Sequence, residues 1–288
     1  MSKFQEEIVE PMLIRKIMEF LEEDLGSGDI TTDAIINPDI DAEALITCNE
    51  KAVVSGVKEA VLTFNLLKCS AEALIGEGDT VEKGRTVLKV RGKAQAILKC
   101  ERTALNILGR MSGVASLTSI LIREAIKGNQ KIRIAATRKT QPGFRVFDKK
   151  AVQSGGGDTH RFRLDDAVLI KDNHLKIIGS VTKAIELARK NVSFTKKIEV
   201  EATSIKEALE AAEAGADIVL LDNMKPEDVS KVINKFEERH LRNKVVLEAS
   251  GGIGLSNIKK YSKTGVDVVS LGEMTHSAKN IDFSLEII

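Results

Sequence analysis

Six short apolar runs, rich in β-branched residues, recur through the second half of the chain with helix-like stretches between them: IRIAAT, AVLIK, KIEVE, DIVLLD, KVVLEA and VDVVSLG. No other feature limits the fold as strongly. Strand and helix patterns that alternate in this way build parallel strands joined by helical crossovers, a sheet buried on both faces. The runs also end alike, each on a chemically capable residue: Thr137 with Arg138 and Lys139, then Lys171, Glu201, Asp222, Ser250 and Gly272. In a barrel all strand ends open onto one face, whereas in an open sheet only those beside the switch point meet. Six enders from six strands therefore favour a barrel, and six runs instead of the usual eight predict an incomplete one.

The first half has a different pattern. The stretch MSKFQEEIVEPMLIRKIMEFL is interrupted by charges, so it is neither a signal peptide nor a membrane span, and it reads as an amphipathic helix with Leu13, Ile17, Phe20 and Leu21 on one stripe. An alternating strand, EALITCNEKAVVSG, precedes a helix from Val57 to Leu67, and EALIGEGDTVEKGRTVLKVRG reads as a hairpin. Its GxGDxVxxG pattern also occurs in biotinyl and lipoyl carriers, but those present their lysine on an EAMKM-like or DKA-like tip, and no such tip appears here. From Lys99 to Lys127 the chain is apolar at helical spacing and interrupted by Gly109 and Gly113, which predicts two helices between two domains. A length of 288 residues suits two domains. Cys48, Cys69 and Cys100 have no CxxC or metal-ligand spacing and read as apolar core residues of a reducing, cytoplasmic compartment.

Charge is unevenly placed. The chain carries a net charge of +1, which gives no global attraction to nucleic acid or membrane. Yet the segment TRKTQPGFRVFDKKAVQSGGGDTHRFRLDDAVLIKDNH gathers Arg138, Lys139, Arg145, Lys149, Lys150, Arg161, Arg163 and Lys171 around a triple glycine. A surface role is the default for any one of these. Brought together at strand ends, they repel one another by roughly 4 kcal/mol per pair at about 4 Å and a dielectric of about 20, so the cluster requires an anion. Glu201 and Asp222 end neighbouring runs. They suit either salt bridges to these cations or a Mg2+ site, because hard cations take oxygen ligands and often hold substrate phosphates with one or two carboxylates. Glu199 shares the face of Glu201, one layer deeper, and if buried needs a cation, for which Lys171 is the candidate. In EASGGIGLSNIKKY and VVSLGEMTHS, Ser250, Gly251, Gly252, Gly254 and Gly272 lie between strand and helix, where backbone N–H groups and the helix dipole favour phosphate. His174 and His276 near strand ends suit structural roles as well as functional ones, and His240 reads as a solvated helix end.

The motifs ERTALNIL, TRKTQPGFR, GGGDTHRFRLDDAVLIKDNH, KIEVE, LLDNM and EASGGI, in this order, closely resemble the quinolinate phosphoribosyltransferase family, over nearly the whole chain. The resemblance implies an α/β fold: an N-terminal α/β sandwich and dimerisation domain over residues 1–110, with a tail of 275–288 packing back on it, and an incomplete, seven-stranded α/β barrel over 111–274. It implies transfer of phosphoribosyl from phosphoribosyl pyrophosphate to quinolinate with loss of CO2, and a homodimer or hexamer in which Arg102 is lent to the neighbouring site. By the same resemblance, Thr137, Arg138, Lys139, His160, Arg161 and Lys171 hold quinolinate. Lys139 and Lys171 lie between the two substrates, and Glu201 and Asp222 hold the ribose hydroxyls and Mg2+. By the resemblance, Ser250, Gly251, Gly252 and Gly272 take the 5′-phosphate of phosphoribosyl pyrophosphate, and Ser270 also contacts that substrate. Arg163 departs from the small residue expected after HRF. The rivals are a phosphoribosyltransferase acting on nicotinate or another acid, a related group found with molybdate transporters, and a non-catalytic anion-binding barrel.

Overall fold

The computed structural model describes residues 3–288, with side chains from Pro11 onward. The chain divides into two compact units. One comprises the residues up to Leu117 with 142–156 and 278–288, and the other comprises 118–141 with 157–277.

The first unit opens with α1 (Lys3–Leu25) and α2 (Ile30–Ile35). Leu13, Ile17 and Leu21, one turn apart, are buried as the stripe requires. Asp29 caps α2, accepting from the Thr32 N–H at 3.0 Å. Next come β1 (Asp41–Cys48), β2 (Ala52–Val53), α3 (Val57–Leu66), β3 (Ser70–Ala73), β4 (Thr80–Val81) and β5 (Arg85–Lys93). The predicted hairpin is present as β3 pairing antiparallel with β5. With β12 (Phe283–Ile287) from the end of the chain they form an antiparallel sheet in the order β12-β1-β5-β3, while β2 and β4 pair separately. All three cysteines are free and buried, and the Cys100 thiol is pushed up to about 12 by burial and by Cys69.

A single helix, α4 (Ala94–Ala125), replaces the two helices expected between Lys99 and Lys127. Its glycines do not break it; they admit the chain end. A Cβ on Gly109 would lie 2.8 Å from the Ile281 carbonyl oxygen, and one on Gly113 only 1.9 Å from that of Lys279. Part of α4 is long and apolar enough to cross a membrane, but 61% of that window is buried inside the protein, as befits a core helix.

α5 (Arg145–Ser154) also belongs to the first unit. Phe144 and Phe147 stack at 4.6 Å and both meet Phe20 of α1, while Asp148, fully buried, is paired with Arg110 at 3.0 Å. This recruitment, and the length of α4, explain why the division does not fall at the expected 110/111 boundary.

The second unit holds six parallel strands: β6 (Arg133–Ala135), β7 (Val168–Ile170), β8 (Ile198–Ala202), β9 (Ile218–Asp222), β10 (Val246–Ser250) and β11 (Val268–Ser270). Their order is β6-β11-β10-β9-β8-β7. On the free side of β6, Asp158 alone stands in for the seventh strand, donating to the Ile134 carbonyl and accepting from the Ala136 N–H at 2.8 Å each. Among the described residues no ladder joins Asp158 to β7, so the barrel is incomplete.

Helices α6 (Asp172–Ile178), α7 (Val181–Asn191), α8 (Ile205–Glu213), α9 (Pro226–Glu238), α10 (Ile258–Ser262) and α11 (Glu273–His276) connect the strands. Local sequence sets their starts. Ser204 accepts from the Glu207 N–H at 3.2 Å while Glu207 reaches back to the Thr203 N–H at 2.8 Å; Ser180 caps α7 in the same manner, and Pro226 opens α9. Each side-chain cap is worth about 1 kcal/mol. Val200, Val219, Leu221, Leu247, Ala249 and Val269 are wholly buried on one strand parity. The opposite parity is left for the site.

Candidate active site

That opposite parity carries the chemistry. Leu169 and Lys171 of the β7 end, Glu201, Leu220 and Asp222, Glu248 and Ser250, and Ser270 all line one pocket of about 890 Å3, joined by Thr137, Arg138, Lys139, His160, Arg161, Gly251, Gly252 and Gly272. The strand registers, Glu201 beside Leu220 and Leu220 beside Glu248, show no slip. Thirteen of the fourteen residues that the resemblance assigns to the site thus meet in one cavity of the second unit. The remaining one, Arg102, is exposed on α4 in the first.

The cations meet as anticipated, with one qualification. Arg145, Lys149 and Lys150 lie on α5 in the first unit, where Lys150 is paired with the buried Glu59. Of the cluster, Arg138, Lys139, Arg161 and Lys171 line the pocket, and Arg163, also after the triple glycine, does not. Arg138 has a buried Nε without a hydrogen-bond acceptor. Burial, and then the charge of Arg138, hold the Arg161 guanidinium below its ordinary range. Arg161 also donates to the Ala167 carbonyl at 3.2 Å, which fixes its direction. Two like charges side by side, one with an unused buried donor, form a site for an anion.

Lys171 is not the partner of Glu199, as proposed from sequence; its Nζ lies 2.6 Å from Glu201 Oε1. Glu199 instead faces His160, whose Nε2 is 3.5 Å from Glu199 Oε2 and 3.4 Å from Glu248 Oε2. The reason is depth: Glu199 sits a layer below Glu201, beyond the position that the Lys171 strand end occupies, beside the ring that follows the triple glycine. His160 itself adopts φ 52°, a left-handed conformation costly for a side chain, with its N–H bonded to Asp158 Oδ1 at 2.7 Å. Glu248 is absent from the sequence-based set, although an acid two residues before Ser250 in an apolar run was a readable sign of it.

Asp222 Oδ2 accepts from Asn223 Nδ2 at 2.8 Å, and Asn223, at φ 55°, hydrogen-bonds through its N–H to the Ser250 carbonyl at 2.9 Å. The β9 end is thereby tied to the glycine loop. Gly251 (φ 90°) is required there: a Cβ would lie 2.4 Å from Asn223 Oδ1. Ser250 Oγ donates to the Ser270 carbonyl at 3.1 Å, linking β10 to β11. Lys139 is held through its carbonyl, which accepts from Thr275 Oγ1 at 2.6 Å, and its side chain runs past Gly272, where a Cβ would be 2.8 Å from Lys139 Cδ.

The expected helix dipoles are weaker than the sequence suggested. α10 begins at Ile258, six residues after Gly252, and α11 has four residues, so any anion at these loops would meet backbone N–H groups rather than a helix dipole. His276, unassigned from sequence, lines the pocket and is hydrogen-bonded through Nδ1 with Ser277 Oγ at 2.6 Å. His174 lies outside it, its Nδ1 accepting from the Lys171 N–H at 2.9 Å, which shapes the start of α6.

Known proteins are similar to this chain in sequence and fold. Residues 29–112 match the model of the quinolinate phosphoribosyl transferase N-terminal domain, and residues 114–286 match that of its C-terminal domain. A probable nicotinate-nucleotide pyrophosphorylase [carboxylating] of Methanothermobacter thermautotrophicus is 49% identical over 271 residues, covering 94% of this chain and 97% of that protein. The nicotinate-nucleotide pyrophosphorylase [carboxylating] of Rattus norvegicus is 40% identical over 246 residues, covering 85% and 82%. The solved nicotinate-nucleotide pyrophosphorylase of Francisella tularensis superposes with a TM-score of 0.89 at 36% identity, covering 96% of each chain. With two cationic strand ends, two acidic ones and two glycine loops opening into one cavity of an incomplete barrel, and both domain models matched in order, the chain belongs to the quinolinate phosphoribosyltransferase family.

Proposed function

We infer that this protein is a quinolinate phosphoribosyltransferase, a decarboxylating enzyme of NAD biosynthesis. It joins quinolinate to the ribose of phosphoribosyl pyrophosphate and releases pyrophosphate and CO2, leaving nicotinate mononucleotide. The observation that carries this reading is the buried, unpartnered Arg138 Nε beside Arg161, in the same pocket as Glu201, Asp222 and the Ser250–Gly252 loop. A dicarboxylate answers the cations, and a phosphorylated ribose answers the acids and glycines.

Each part follows from its chemistry. Arg138, Arg161 and His160, with Thr137, hold the two carboxylates of quinolinate. The backbone N–H groups of Gly251, Gly252 and Gly272, with Ser250 and Ser270, receive the 5′-phosphate. Glu201 and Asp222 accept from the ribose hydroxyls, which orients C1 toward the ring nitrogen; orientation of this kind can supply several kcal/mol of the barrier. Both acids are hard oxygen donors at adjacent strand ends, so Glu201 and Asp222 would hold Mg2+ jointly with substrate phosphates, and such an ion would supply positive charge for pyrophosphate. Lys139 and Lys171 stand between the reactants and stabilise the leaving charge. After the ring nitrogen bonds to C1 it is cationic, and that charge stabilises the electron pair left on the adjacent carbon as CO2 departs; a proton from solvent completes the product. No strong protein base is needed.

Arg102, on the exposed face of α4, is proposed to enter the pocket of a second copy, in a homodimer or a hexamer built from dimers. The protein is proposed to work in the cytoplasm.

Purified protein given Mg2+, phosphoribosyl pyrophosphate and quinolinate should release CO2 and form nicotinate mononucleotide in equal amounts. Nicotinate in place of quinolinate should react far more slowly. Product formed from nicotinate at the same rate, without CO2, would replace this reading with that of a monocarboxylate transferase.

A further inference from the structure

The floor of the pocket contains a group for which the reaction gives no direct use. Glu199 and Glu248 are 1% and 2% exposed, from β8 and β10, and converge on one ring nitrogen of His160. At 3.4–3.5 Å the contacts are too long for a strong hydrogen bond to either acid alone, so Nε2–H is shared between them. The other oxygen of each, Oε1, is buried and has no hydrogen-bond partner among the described residues. Two buried carboxylates with half their acceptor capacity unused are costly unless something fixed and positive balances them. The His160 ring is the group that reaches both.

We propose that Glu199 and Glu248 are positioning residues that hold His160 as a cation with its Nε2–H turned to the barrel floor, leaving Nδ1–H as a fixed donor to a substrate carboxylate. This rests on the reading of the substrate as a dicarboxylic acid. A free histidine is a poor constant donor at neutral pH, because it is half neutral near its ordinary pKa and its two tautomers exchange. Here Nε2 is occupied, and Nδ1 makes no hydrogen bond to a described residue while the ring lines the pocket. The left-handed backbone at His160 and its N–H bond to Asp158 keep the ring at that place.

The electrostatics agree with the geometry. The charged groups around the ring are Glu199, Glu248, Asp158 from its own segment, and Arg161, whose charge also acts on Glu199. Burial pulls His160 down, but the hydrogen bonds and charges of the two acids outweigh it and raise the ring to about 10. His160 is therefore positively charged throughout the neutral range and loses its proton only as pH rises toward about 10.

The test uses the ligand-free full-length protein. The chain has four histidines, so a His160→Gln variant assigns the His160 ring signals in 15N NMR. In the parent these should remain those of an imidazolium beyond about pH 9, and in Glu248→Gln their midpoint should fall by at least about one unit. Glu248→Asp should restore part of the shift, and Glu199→Gln reports on the same ring if Glu248→Gln does not fold. In Glu248→Gln the KM for quinolinate should then rise with pH by about tenfold per unit above the new midpoint, with the change in KM for quinolinate exceeding that for phosphoribosyl pyrophosphate. A parent His160 that titrates near 6.5, or a midpoint unmoved in Glu248→Gln, overturns the proposal, as does a quinolinate KM in that variant that follows the parent's pH profile. If quinolinate does not react at all, the inferred reaction fails, while the NMR arm, which needs no substrate, still decides the state of the ring.

Discussion

Replacing Lys171 by alanine is expected to lower kcat/KM by about 100- to 1,000-fold, the effect of removing one fixed donor from a developing negative charge. Two losses coincide. The ammonium at the β7 end, 2.6 Å from Glu201 Oε1, is proposed to supply positive charge where pyrophosphate departs. It also balances Glu201, whose side chain is only 12% exposed, and without it that acid repels the incoming phosphates. Lys171→Arg should recover little, because a planar guanidinium cannot reproduce a compact ammonium between two reactants. Steady-state kinetics with each substrate varied will decide, with circular dichroism to confirm the fold. A loss below about tenfold would remove Lys171 from the reacting centre.

Gly251→Ala should be nearly as damaging for a different reason. At φ 90° the added methyl would lie 2.4 Å from Asn223 Oδ1 and 2.8 Å from Asn223 N, and Asn223 holds both Asp222 and the Ser250 carbonyl. Overpacking costs about 1–3 kcal/mol and the left-handed backbone about 1–2 kcal/mol, so a loss of roughly 2–5 kcal/mol of stability is expected. The same shift would move together the acid proposed to bind ribose and the loop proposed to bind phosphate, raising the KM for phosphoribosyl pyrophosphate by about two orders of magnitude, since a displacement near 1 Å has that effect. Gly252→Ala provides the stability control. Its φ is 62°, but a Cβ there has nothing within 4 Å, so only the backbone cost applies. Equal denaturant midpoints for the two variants would show that the contact with Asn223 is not tight.

Much of the second unit was legible because its sheet is buried on both sides and its runs are therefore nearly pure β-branched sequence, with the polar residue at each end left over for the pocket. Lys171, Glu201, Asp222 and Ser250 could be aligned on that basis before any contact was known. The placement of α5 could not. FRVFDKK lies between two barrel segments, and it is long-range contacts, the stacking of Phe144 and Phe147 against Phe20 and the Arg110–Asp148 and Lys150–Glu59 pairs, that assign it to the first unit. Gly109 and Gly113 look like breaks in any local reading, because what they accommodate is the chain end some 170 residues away in sequence. Partner choice within the pocket was also hidden. Strand parity places Glu199 below Glu201 but is silent on which cation reaches that depth, and the answer, His160, depends on a left-handed turn after three glycines.

The most direct measurement is a crystal structure of the protein with phosphoribosyl pyrophosphate, Mg2+ and phthalate, a dicarboxylate with the carboxyl spacing of quinolinate but no ring nitrogen to react. Both should be bound together in the one barrel pocket, the carboxylates against Arg138, Arg161 and His160 Nδ1, and the ribose phosphate over Glu201, Asp222 and the Gly251–Gly252 loop. Binding of the two at separate cavities, or displacement of one by the other, would contradict a single mouth that grips two anionic reactants at once.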